Sequence, residues 1–190
     1  MSLFELSFAL SAVVLGMALT QIAAVVHKLL LAGKRVSWAI EPILLTLLVL
    51  LIIIVVWLGS WNSRNETSIT FASTLLRVAM LMTLFFTAAS CLPEPREETD
   101  RIDTLAYYDR TRLLSFGSII ISYMLNQIGD VAAQGWPAHI TALTFVDWLL
   151  YPALYTLLIF IRVRWFNIVV LLFALLFFGW AVMGVSLTNA

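Results

Sequence analysis

The sequence predicts an all-α polytopic membrane protein with six transmembrane helices, and three observations carry that prediction. Hydrophobic residues make up 62% of the 190-residue chain and charged residues 12%, whereas soluble domains sit near half and a quarter. Mean hydropathy is +1.00. The twenty residues 42–61 hold no charge, enough at about 1.5 Å per residue to cross a hydrocarbon layer. Basic residues, finally, alternate between loops in a regular way.

Segment one, residues 4–31, is largely apolar, with Glu5, Gly16, Thr20, Gln21 and His27 among its exceptions, and ends in the basic turn 28–35. It lacks the basic start and cleavage pattern of a secretory signal and reads as a retained first span. Segment two, 38–61, opens on Glu41-Pro42, an acid and a proline suited to the first turn of a helix. Glu41 caps the helix there, or else faces Lys28, His27 or Arg35 as a carboxylate at the mouth. Segment three, 69–92, is interrupted by Arg77. The stretch 93–112 mixes acids with Arg96, Arg101, Arg110 and Arg112 and reads as a solvated loop, or else as an amphipathic surface helix with Leu105 and Tyr108 at the interface or a docking site for a cytoplasmic partner. Segments four, five and six follow at 113–134, 138–161 and 165–187.

Basic residues near span ends stay in the cytoplasm. Lys28, Lys34, Arg35, Arg96, Arg101, Arg110, Arg112, Arg162 and Arg164 fall on one side and only Arg64 on the other, which puts both termini outside the cytoplasm. The expected location is the cell membrane, the inner membrane if the source is prokaryotic. The opening of segment two, Trp38-x-x-Glu41-Pro42, recurs as Trp148-x-x-Tyr151-Pro152. Copies of residues 1–92 and 113–190 about a 93–112 loop would form a 3+3 inverted repeat, a recurring transporter design.

Polar residues are the informative ones in lipid, because an unpaired polar group there costs several kcal/mol. Ser115, Ser118, Ser122, Asn126, Gly129 and Asp130 recur every three or four residues and share one helix face. Segment five carries Thr144, Asp147, Tyr151 and Tyr155 on a similar ridge. Segments two and six have almost nothing polar at their middles and read as outer, lipid-facing helices. Arg77 and Asp147 lie at nearly equal depth from one surface, as a buried pair would, and such charges mark pathways, relays or ion pairs. The competing reading of the hydroxyl stripe is helix packing.

Several function classes are excluded. Net charge is zero with basic residues scattered, so nucleic acid is not an expected partner. One cysteine, Cys91, rules out an internal disulfide or CxxC site. His27 and His139 sit near opposite surfaces, and no catalytic motif is present. A membrane enzyme is the third-ranked reading, since no catalytic constellation is visible, and no cofactor or metal is expected. The expectation is a channel or transporter for an ion or small solute, oligomeric in the lipid bilayer. Its pathway residues are Arg77, Asn126, Asp130 and Asp147, with Glu5, Gln21, Glu41, Gln127 and Tyr151 secondary. The alternative is a structural or regulatory subunit of a larger membrane complex.

Overall fold

Every backbone amide of an apolar run must find its partner locally when water is absent, and even the β-branched stretch Ile52-Ile53-Ile54-Val55-Val56 is accordingly helical. The computed structural model describes residues 3–62, 71–95, 101–135 and 142–183, with the side chains 142–147 also outside the description. Its elements are α1 (Leu3–Ala32), a 3-10 turn (Gly33–Arg35), β1 (Val36–Ser37), α2 (Ile40–Asn62), α3 (Phe71–Ser90), β2 (Ile102–Asp103), α4 (Thr104–Gln134), α5 (Ala142–Phe160) and α6 (Arg164–Met183). By length and composition, three stretches suffice to cross a membrane: Ser7–Arg35, Ile40–Ser60 and Ala72–Ser90.

Local chemistry sets the helix ends. Gly33, with φ at 55°, takes the left-handed conformation that turns the chain after α1. Asp103 caps α4, its carboxylate accepting from the amides of Leu105 at 2.9 Å and Ala106 at 3.1 Å. Gly135, with φ at 78°, ends the same helix. α4 thus starts nine residues before the expected 113, since 104–112 is helix rather than loop. The charges there misled composition, but Thr104, Tyr108, Arg112 and Ser115 recur on one buried face.

The helices pack as α3 on α4, α2 on α6, α1 on α3, α4 on α5 and α1 on α2. Leu45, Leu48, Val49 and Ile53 of α2, Leu81 and Leu84 of α3, Phe116 of α4, Leu158 of α5 and Leu171 of α6 are fully buried. α2 is therefore no outer helix: it touches α1, α3, α4 and α6. Apolar composition could not reveal this, because lipid-facing and protein-facing positions are equally greasy. Leucines, phenylalanines and tryptophans nevertheless crowd the outside of the bundle, among them Leu176 and Trp180 on α6.

The packing matches an internal repeat only in part: α1 on α2 has its counterpart in α4 on α5. α2 lies on α6, but the pair that a repeat would exchange with it, α5 and α3, has no comparable contact among the described residues. Pro42 is the third residue of α2, where no helical bond is lost. Pro152 is the eleventh of α5 and removes the amide that would bond the Trp148 carbonyl.

At one end of the bundle β1 pairs in parallel with β2, Val36 opposite Ile102 and Ser37 opposite Asp103. Buried Thr104 locks this bridge, accepting from the Ala39 amide and donating to the Ser37 carbonyl, both at 2.9 Å. Lys28 pairs with Glu94 at the same end. We call this the basic end.

Candidate functional site

Two polar layers are built on this frame, one in the far half of the bundle and one at the basic end. The far layer begins with the α4 ridge. Ser115, Ser122 and Asn126 lie within about 40° of one another around the helix, being seven and four residues apart. The first two are buried. The Ser115 hydroxyl lies 2.9 Å from that of Ser90, and Ser122 donates to the Met80 carbonyl at 3.4 Å. These contacts hold α3 antiparallel to α4. Ser118 turns back on its own helix, donating to Leu114 at 2.6 Å.

One turn beyond Ser122 the ridge changes character. Asn126 and Asp130 are exposed, the amide donating to the carboxylate at 3.0 Å. Gln127 donates to the Tyr123 hydroxyl at 2.9 Å. The α3–α4 register puts Arg77, three residues before Met80, level with Asn126. Arg77 donates to the Ser7 hydroxyl at 2.7 Å, drawing in α1. Glu5, two residues earlier in α1, is exposed. The rings of Tyr123 and Tyr151 stand 5.6 Å apart, so position 147, one turn before Tyr151, falls level with Gln127. The side chain of Asp147 lies outside the described residues. Of the expected residues, the backbone thus brings Arg77, Asn126, Gln127 and position 147 to one depth, with Asp130 a turn farther out. Gln21, fourteen residues along α1 from Ser7, is not among them.

The layer at the basic end is partly buried and was largely missed by sequence reasoning. Glu41, whose side chain is 1% exposed, accepts from Arg164 Nε at 2.8 Å and Nη2 at 3.4 Å. Its partner is thus neither Lys28 nor His27 nor Arg35: Lys28 is taken by Glu94, and the α2–α6 packing delivers Arg164 instead. Buried Arg112 donates through Nη1 to the Ile161 carbonyl at 3.1 Å, tying α4 to the end of α5. Its Nε is 3.0 Å from the Asp109 carboxylate, an ionic contact out of line with the N–H. The guanidinium also stands 5.0 Å over the Tyr108 ring. Burial pushes the Tyr108 hydroxyl up to about 12, against the pull of Arg112, so this phenol is neutral.

Above this layer the aromatic stack closes. Tyr108 meets Phe116 edge-on at 6.1 Å, and Phe116 stacks on Tyr155 at 6.2 Å. All three are buried. The hydroxyls of Tyr108 and Tyr155 and both amide atoms of Asn167 are buried without a hydrogen-bond partner among the described residues. Arg112 and Arg164 were legible only as loop charges. Asn167, a lone amide at the start of an apolar segment, was the one available signal for α6.

No protein-family model, curated protein or solved structure matches this chain. Any functional reading therefore rests on the geometry.

Proposed function

We propose that the chain is a six-span membrane protein with both termini outside the cytoplasm, passing an ion or small solute along a route that opens at the far end. The observation that carries this is the change along a single ridge of α4. Ser115 and Ser122 are buried against α3, whereas Asn126 and Asp130, on the same side of the helix, are exposed and polar. Polar groups at this depth need water or protein partners, and a hydrated vestibule on the far side provides them. Arg77 and the backbone position of residue 147, both level with Asn126 or Gln127, mark the depth of its floor. The basic end is closed by the Tyr108–Phe116–Tyr155 stack and the Glu41–Arg164 pair, so passage requires that layer to open.

Flux through liposomes reconstituted with purified protein tests the reading. Asp130→Asn and Asn126→Leu are each expected to reduce flux about tenfold or more, the scale of one lost polar contact at about 1.4 kcal/mol. Flux at the wild-type level in both variants overturns the route. A second reading draws on the serines, whose hydroxyls are occupied in joining α3 to α4: a subunit of a larger membrane assembly, in which polar ridges only bind helices together. Obligatory co-purification with other chains and absence of flux from the isolated protein favour it.

A further inference from the structure

We propose that the seam between α4 and α5 at the basic end binds the phosphate of an anionic phospholipid, with Arg110 and Arg162 holding the headgroup and Leu113 and Phe160 lying along its chains. The inference rests on the membrane reading above and goes beyond it. The contact of Arg112 with the Ile161 carbonyl fixes the register of the two helices here. Leu113, the next residue of α4, is then level with Phe160, the last of α5. Both point outward, 70% and 77% exposed. Leu157, one turn back along α5, continues this outward apolar strip.

Immediately toward the end of the bundle lie exposed Arg110, one turn before Leu113, and exposed Arg162, two residues after Phe160. Their neighbours are already matched. Arg112 lies against Asp109 and Arg164 against Glu41, so these four arginines and two acids leave an excess of two positive charges. Neither Arg110 nor Arg162 has an ion pair or hydrogen bond among the described residues. Guanidinium groups recognise phosphate oxygens bidentately. Two of them beside a pair of outward leucine and phenylalanine side chains match a molecule that is anionic at its head and apolar behind it. A soluble phosphate would leave the apolar pair without a role. The anionic cytoplasmic leaflet supplies such a molecule on the side where basic loops reside.

The test uses full-length protein in nanodiscs of phosphatidylcholine and phosphatidylglycerol in equal amounts, with retained lipid read by native mass spectrometry. Wild-type protein is expected to retain phosphatidylglycerol preferentially. Arg110→Gln and Arg162→Gln should each lower that preference roughly fivefold and together about 25-fold, from the usual contribution of one basic residue near an anionic surface. Arg110→Lys with Arg162→Lys, keeping both charges but not the bidentate geometry, should fall between wild type and the double glutamine variant. Equal retention of the two lipids by wild type, or an unchanged preference in the double glutamine variant, overturns the site. In phosphatidylcholine alone, millimolar inorganic phosphate is expected to leave thermal stability unchanged; a rise matching that produced by phosphatidylglycerol overturns the lipid assignment in favour of a soluble anion. Failure of well-folded protein to enter nanodiscs at all overturns the membrane reading and this site with it, whereas insertion without lipid preference removes only the site.

Discussion

Arg164→Ala should destabilise this protein far more than Glu41→Gln, although the two residues form one pair. The asymmetry comes from where each partner stands. Arg164 keeps 63% of its side chain exposed, while Glu41 is closed off at 1%. Removing the arginine strands a carboxylate inside the bundle, and breaking a buried pair in this way costs about 3 to 5 kcal/mol. The nearby Arg112 charge also acts on Glu41, which brings the expectation to the lower limit, about 3 kcal/mol. Glutamine at position 41 keeps an oxygen acceptor and frees Arg164 into solvent or headgroups, for a loss of about 1 kcal/mol. The difference of about 2 kcal/mol is a factor of about 30 in the unfolding constant. Reversible unfolding in mixed micelles, followed by circular dichroism, resolves it. The double variant should recover most of the Arg164→Ala loss, because no buried charge is left behind. Equal losses in the two single variants, or a larger one in Glu41→Gln, would refute the reasoning.

Thr104→Val should cost about 2 kcal/mol, since it unpairs the buried Ala39 amide and Ser37 carbonyl together; amide hydrogen exchange at Ala39 should accelerate in proportion. Asn167→Leu is expected to be neutral or to stabilise by about 1 kcal/mol, as it removes a buried amide with both polar atoms unmatched. A loss of stability in that variant would mean that the amide has a partner, and chemical denaturation in micelles distinguishes the two outcomes. Phe116→Ala should cost about 3 to 5 kcal/mol, because the ring is fully buried between two tyrosines. A Tm unchanged in Phe116→Ala would show that the aromatic layer is not tightly packed.

The helices were legible in the sequence wherever an uncharged run was long. Segments 38–61 and 69–92 became α2 (Ile40–Asn62) and α3 (Phe71–Ser90), because a helix bonds each backbone amide within its own segment and needs no information from elsewhere. The hydroxyl spacing of segment four was legible for the same reason, since periodicity is a local property. It did not say which part of that ridge would be buried: Ser122 and Asn126 are one turn apart, yet the first is buried and the second exposed. The charges of 93–112 left a loop and a surface helix both open, and the burial of Thr104, Tyr108 and Arg112 on one helix face belongs to the tertiary packing.

What the sequence by itself determined is therefore the set of apolar helices, their order and the imbalance of basic charge between loops. The tertiary structure alone decided that Glu41 meets Arg164, 123 residues away, that α2 is central rather than peripheral, and that Arg110 and Arg162 are left over where Arg112 and Arg164 are matched. Hydrogen bonding along a helix is closed within four residues, whereas an ion pair selects among several chemically equivalent partners. That selection is made by packing shape, which no local pattern of residues records.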